Sequence, residues 1–320
     1  FNVEPACPAD TQVGTLTVNI QGVTFTYNDG TNTTTISRTP ISGNLGRLYL
    51  ITPSAGEPAR LGIWIKTMIG KPIRIQSPIS VRPTDGALVS EIRDLPTEVE
   101  SALNPGQILH LYLEGVVVEL WGDTSSHTTM PKPFMVNPTT CEPLEGSVSA
   151  STYGAPDDYV SAPMPVTTTL TGCDSVPFAP DLGTTATVTA DKPNGFSVKI
   201  TFPAFDPSGT VQSHLKDAVV KLPEGITMSP SVASDGLDGC SDAQFAPGTT
   251  AEPSCPALSE LGTVKMVSPL LPDPLTGKVY LGHPQPGQQF RLLTYARWGN
   301  VAIKFVGVAN PDPVTGQITA

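Results

Sequence analysis

Charge is scarce in this chain. Asp, Glu, Lys and Arg make up 15% of its 320 residues, against about a quarter in an ordinary globular protein. Lys and Arg number 18 against 29 acidic residues, which leaves a net charge of −11. An acidic surface repels phosphate backbones, so nucleic acid is not an expected partner. Long apolar runs are missing as well. No stretch approaches the roughly 20 apolar residues of a membrane span. The longest apolar-rich run, residues 108–122, carries His110, Glu114 and Glu119 and alternates, so it reads as strands. There is no GxSxG, HExxH or GxxxxGK[ST] signature. The four histidines, His110, His127, His214 and His283, fall in separate regions without ligand spacing. No enzyme activity, cofactor or metal site is expected from these absences.

Two local patterns set against that background are weak. Asp123, Ser125 and His127 stand close together, but catalytic triads are assembled in space, not along a few residues. Asp235, Asp238 and Asp242 lie in one acidic turn whose spacing matches no EF-hand. Asn32 opens a glycosylation sequon.

What the chain has in excess is proline, 34 residues, about twice the usual share. Around the prolines run short alternating segments rich in Val, Ile and Thr, bounded by Gly and Asp. "LGIWIK" (61–66) puts Leu61, Ile63 and Ile65 on one face, and "FSVKITF" (196–202) does the same with Val198 and Ile200. Such spacing predicts an all-β protein of tandem, immunoglobulin-like β-sandwich domains. Helical signal is confined to single turns at "PTEVESAL" and "SHLKDA". The chain opens on Phe1 without an initiator methionine, which leaves either a removed leader or further chain upstream.

Five cysteines occur without a CxxC motif: Cys7, Cys141, Cys173, Cys240 and Cys255. They read as a disulfide framework in an exported protein. The short loops favour Cys141 with Cys173 and Cys240 with Cys255. Cys7 is left over, either as a buried thiol or as one side of an intermolecular bond.

The odd cysteine belongs to an internal repeat. "CPADTQVGTL" from Cys7 matches "CPALSELGTV" from Cys255, 248 residues later. "GRLYL" (46–50) matches "GKVYL" (277–281), and "RPTDG" (82–86) matches "DPVTG" (312–316), in the same order. The first copy carries an insert at residues 21–37, where two β-forming runs flank "NDG". Asp-Gly there is strong turn chemistry. A projecting hairpin is expected, with Val23, Phe25, Tyr27, Asp29 and Gly30 as candidate strand donors. The second copy stops where the first continues into residues 91–122. It is expected to leave an open edge near Val314, Gln317 and Ile318, a liability unless something covers it. The first copy lacks a counterpart for Cys240, so the partner of Cys7 is expected outside this stretch.

The expected division is residues 1–130 as a β domain with the hairpin insert, 131–239 as a Pro-rich hinge and immunoglobulin-like sandwich, and 240–320 as a partial second copy of the first domain. "PFMVNPTTC", "TGCDSVPFAP", "GCSDAQF", "PLTGKVYLG" and "NPDPVTGQ" together resemble segments of large exported repeat proteins of actinobacteria. The resemblance covers most of the chain in order, except for the hairpin at 21–37. It implies an extracellular, repeat-built β protein and carries no catalytic signature. Two roles fit these readings. One is a structural subunit of a filament, sheath or surface layer, joined to other copies of itself by strand complementation. The other is a cell-surface adhesin or glycan-binding stalk, for which Trp64, Tyr112, Trp121 and Trp298 are the candidate aromatics.

Overall fold

The computed structural model describes residues 5–28, 33–67, 70–102, 104–122, 134–164, 169–187, 189–190, 195–203, 212–226, 238–288 and 290–320. The protein is all-β. It divides into two compact units: Phe1–Met135 together with Val219–Ala320, and Val136–Ala218.

The first unit opens with seven strands: β1 (Gln12–Asn28), β2 (Thr33–Ile51), β3 (Ala59–Ile65), β4 (Ile73–Val81), β5 (Leu88–Ser90), β6 (Glu98–Glu100) and β7 (Ile108–Leu120). They form one antiparallel sheet in the order β5-β4-β3-β2-β1-β7-β6. The sheet rolls back on itself. Gly70, ahead of β4, bridges to Ser101 beyond β6, and the Lys71 N–H donates to the Glu100 carbonyl at 2.9 Å. Rolling lets one face enclose a core of Val13, Leu16, Val18, Ile20, Leu48, Leu61, Ile63, Ile65 and Ile73. The alternation of Leu61, Ile63 and Ile65 is the period-two pattern of a strand with one face on that core. Trp64, on the opposite face, is buried as well. Glu98–Glu100 is a strand where a helical turn was expected, because it pairs with Ile108–His110.

The second unit holds two separate hairpins. β8 (Ser147–Thr152) pairs with β9 (Ala155–Pro163), and β10 (Asp181–Ala186) pairs with β11 (Phe196–Thr201). Both are solvent-exposed along nearly their whole length. The residues described there form ribbons, not two packed sheets.

The rest of the first unit is a one-turn helix α1 (Asp242–Phe245) and a five-stranded antiparallel sheet. Its strands are β12 (Glu260–Met266), β13 (Leu275–Gly282), β14 (Phe290–Trp298), β15 (Val301–Pro311) and β16 (Ile318–Thr319), in sequential order. Ser241 caps α1 through a reciprocal capping box with Gln244.

The two sheets share their pairing registers. Gln12 faces Tyr49 and Gly14 faces Leu48 across a bulge; Glu260 faces Tyr280 and Gly262 faces Val279 across a bulge at the same place. Gly46–Ile65 and Ile51–Arg60 in the first sheet correspond to Gly277–Ala296 and Gly282–Arg291 in the second. Val81–Leu88 corresponds to Pro311–Ile318. Ahead of each sheet a single 3-10 turn follows Pro8 or Pro256, closed by an N–H to proline carbonyl bond of 3.0 Å from Thr11 or Ser259.

The matching turns are built alike. Gly86 donates to the Arg82 carbonyl at 2.9 Å, and Gly316 to the Asp312 carbonyl at 2.9 Å. Both glycines have positive φ, which a side chain would strain. The Thr315 and Val314 N–H groups donate to Asp312 Oδ1 and hold its carboxyl below the ordinary range. Asp85 is lowered by Arg82 first and by the Ala87 N–H second. Arg60 lowers Glu57, and Lys71 lowers Glu100.

These four carboxylates have folded-state pKa values below their unfolded ones. Their contribution to stability is present above the unfolded values, near about pH 4, and disappears as pH falls through the folded values. The thermal midpoint followed by circular dichroism is therefore expected to fall between about pH 5 and pH 3. An Asp85→Asn, Asp312→Asn variant is expected to show a shallower fall over the same window.

Candidate functional site

A strand with no neighbour presents a row of unpaired N–H and C=O groups, and such an edge is a template for another strand. The edges of the two sheets are the features of this molecule with the chemistry to hold a partner.

The first is β7. Its inner edge pairs with β1 from His110 to Leu120. Its outer edge is covered by β6 only at Ile108–His110, with one further bond from the Leu111 N–H to the Thr97 carbonyl at 2.7 Å. From Tyr112 to Leu120 the outer edge has no strand beside it among the described residues. Leu109 is 2% exposed, Leu113 is 52% exposed and Val117 is 58% exposed, so burial fades along the strand. Tyr112, Val116, Val118 and Leu120 are exposed too. Alternation alone predicts Leu113 on the buried face with Leu109 and Leu111; the cover ends before it.

The edge expected to be open at Val314, Gln317 and Ile318 is closed. Val220 N–H donates to the Ala320 carbonyl at 2.8 Å, Ala320 N–H returns to Val220 at 2.9 Å, and Leu222 N–H donates to Ile318 at 2.9 Å. Gln317 Nε2 adds a bond to the Leu222 carbonyl at 2.8 Å. The chain's own residues 220–222 run along β16, and Ile318 is 4% exposed. Val314 is fully exposed, but it sits in the turn before β16, not on the edge.

The corresponding strand of the first sheet, β5, has no such cover among the described residues, and Leu88 is 57% exposed. At the other end of the second sheet, β12 pairs with β13 on one side and, among the described residues, with no strand on the other.

β1 and β2 pair from Thr24–Ser37 to Asn28–Thr33, with Phe25 opposite Ile36 and Tyr27 opposite Thr34. Asp29 and Gly30 lie outside the described residues. Val23 is not available as a donor. It is 5% exposed because it pairs with Arg38 on one side and His110 of β7 on the other. The ribbon beyond β7 therefore begins at Thr24.

Both expected disulfides are present, Cys141–Cys173 and Cys240–Cys255, with Cα atoms 5.9 and 5.0 Å apart. The second lies in a core with Phe245, Tyr280, Leu293, Tyr295 and Ala302. Cys240 runs beside the end of β13, its N–H on the Leu281 carbonyl at 2.8 Å and its carbonyl accepting from His283 at 3.0 Å. Lys304 seals this corner. Its ammonium donates to the Phe245 and Ala246 carbonyls at 2.5 and 2.9 Å over the Phe245 ring, and burial lowers its pKa. Cys7 is a free, half-buried thiol. The first disulfide closes a loop that contains the exposed ribbon β8–β9, which the sequence did not single out; the signal was "TYG" at its turn, Tyr153 and Gly154 between paired Thr152 and Ala155.

The remaining sequence candidates are dispersed. Trp64 is buried and Tyr112 exposed on β7. Trp121 donates its N–H to Val13, and Trp298 lines a cleft of about 490 Å³ with the proline-rich segments 53–58 and 269–272. Asp242 pairs with Arg291 at 2.8 Å, and Asp238 accepts from the Gly239 N–H. Asp235, Asn32 and the 123–127 segment lie outside the described residues. Among the described residues no group of three His, Cys, Asp or Glu could hold a metal, and no helix is long and apolar enough to cross a membrane. No protein-family model matches the chain, nor does any curated protein or solved structure.

Breaking the Cys240–Cys255 bond opens a loop of 15 residues, worth about 3 kcal/mol by the chain-entropy estimate. A Cys240→Ser, Cys255→Ser variant is expected to lose about that much in urea unfolding followed by tyrosine and tryptophan fluorescence. A loss below about 1 kcal/mol would show that this corner is held by its packing and hydrogen bonds with little help from the bond.

Proposed function

We propose that this chain is a non-enzymatic, extracellular structural protein whose sheets join those of other copies edge to edge, as a subunit of a filament, sheath or surface layer. The observation that carries the reading is the outer edge of β7 from Tyr112 to Leu120, long, unpaired among the described residues and apolar on both faces. Soluble proteins normally blunt such edges with charge, proline or a cover. Here the only charged residues along it are Glu114 and Glu119, which hydrogen-bond to Gln21 and Thr15 of β1. Edge addition supplies main-chain hydrogen bonds, and contacts that do not close on themselves extend into fibres.

The same reading treats β12–β16 as a partial second copy of β1–β5, in keeping with the shared registers, and places the chain among exported repeat proteins of the actinobacterial kind that its sequence resembles. The two disulfides fit an oxidising compartment.

Light scattering and negative-stain microscopy test the assembly reading. The wild-type chain is expected to form extended particles as concentration rises. Val117→Lys, which sets a charge into the exposed edge without touching the core, is expected to raise the concentration needed by about tenfold or more. Monomers at all concentrations would sink the reading.

A glycan-binding stalk is the second reading, favoured by the Trp298 cleft. Prolines and an indole offer flat apolar surface of the kind sugar rings stack on. On a glycan array Trp298→Ala should abolish any signal the wild-type chain gives; a signal that survives the substitution places binding elsewhere.

A further inference from the structure

We infer that the free edge of β12 is a docking groove for one kind of partner: an antiparallel β-strand with the pattern of β7, ending in Val-Val-Val-Glu-Leu. The inference goes beyond the edge-to-edge reading: it gives the edge of β12 an occupant other than a second copy, and it rests on that reading only for its biological setting. Four observations on β1 and β12 carry it.

The first is the bulge. It falls between Gln12 and Gly14 in β1 and between Glu260 and Gly262 in β12, so the two strands present the same outer edge in the same register. On β1 that edge holds β7, with Gly14 opposite Leu120, Leu16 opposite Val118 and Val18 opposite Val116. The equivalent positions of β12 are Gly262, Val264 and Met266.

The second is the glycine. A Cβ on Gly14 would stand 2.2 Å from the Glu119 carbonyl oxygen of β7, so β7 demands glycine there. A Cβ on Gly262 would meet nothing within 4 Å. Its φ lies outside the left-handed region, so no turn requires glycine either. Glycine inside a strand costs stability relative to a side chain and often marks a bulge or a close approach of another backbone; Gly262 stands at a bulge on an edge strand, as Gly14 does at a bulge beside β7. In this sheet nothing among the described residues fills that approach.

The third is burial. Val13, the bulge residue of β1, is 1% exposed, and its carbonyl accepts the Trp121 N–H at 2.9 Å where the chain leaves β7. Its counterpart Leu261 is 44% exposed.

The fourth is charge. Glu119 of β7 stands opposite Thr15 and accepts its hydroxyl at 3.2 Å. In β12 the counterpart of Thr15 is Thr263, and two residues on, on the same face, stands the exposed Lys265. A glutamate arriving opposite Thr263 lies diagonal to Lys265, within reach of a long side chain. The occupant is a strand other than this chain's own β7, which β1 already holds.

The test adds a synthetic peptide, EGVVVELWG, identical to residues 114–122, to the full-length chain and follows amide hydrogen exchange. Residues 260–266 are expected to exchange about tenfold or more slowly at saturating peptide, with their neighbours on β13 unchanged. Gly262→Val should keep or raise the thermal midpoint, since its side chain enters open space, yet lose the protection. A peptide with Glu119→Lys should bind more weakly to the wild-type chain and regain binding on Lys265→Glu. Protection that is absent, or equal in Gly262→Val, overturns the inference. So does protection of 260–266 without peptide that rises with protein concentration, for then a second copy occupies the edge. Capture of the peptide by a chain that never self-assembles would sink the assembly reading and leave this one standing; assembly without capture would do the reverse.

Discussion

Every strand has two hydrogen-bonding edges, and each buried N–H and C=O on them needs a partner. That accounting governs this molecule more than the size of its cores. In the first sheet the inner strands are satisfied by their neighbours, and the ends are brought together by rolling, with Gly70 against Ser101 and Lys71 against Glu100. Rolling places the apolar face of β1 and β3 inside, so the core around Leu16, Leu61 and Ile63 follows from the closure. Where closure stops, at Tyr112 of β7, side chains turn outward on both faces.

The second sheet solves the same problem differently. It is too short to roll, so it borrows. Residues 220–222 lie along β16, and Cys240 lies along the end of β13, both from chain that precedes the sheet in sequence. The disulfide to Cys255 and the ammonium of Lys304 fix the second of these loans. At the equivalent corner of the first sheet, among the described residues, stands the free thiol of Cys7. One local pattern, Cys-Pro followed by a 3-10 turn and a bulged strand, thus supports two degrees of completion, and the difference lies in what the flanking chain supplies.

That division explains what could be read from the residues. Cys-Pro, the Gly-Arg/Lys hairpin positions and the Asp-Gly turns are short-range chemistry, and the matched turns at Gly86 and Gly316 follow them closely. The Cys141–Cys173 and Cys240–Cys255 pairs were legible because both loops are short. Coverage was not legible. The alternation through Leu109, Leu111 and Leu113 says which face a side chain takes, not where the neighbouring strand ends. Val220–Leu222 reads as an ordinary strand, and its sequence does not say that its partner is Ile318–Ala320, about a hundred residues away. Val23 was placed on a projecting ribbon for the same reason: the length of β7 beside it is a tertiary fact.

The direction of the borrowing has a consequence for energetics. The strand that covers β16 comes from before its sheet, while β7, which covers β1, comes from after β5. Each sheet is therefore completed by chain from one sequence direction, and its stability is shared with that chain. Where a sheet is closed by chain from outside it, that interface contributes to its stability alongside the interior. A sheet with one edge covered and the other uncovered is soundest at the covered edge. The second sheet fits: Ile318 under residues 220–222 is buried, and Leu261 at the opposite edge is not. Stability in such a chain is graded along the sheet, and the exposed edge is both its weakest part and the part with most to gain from a partner.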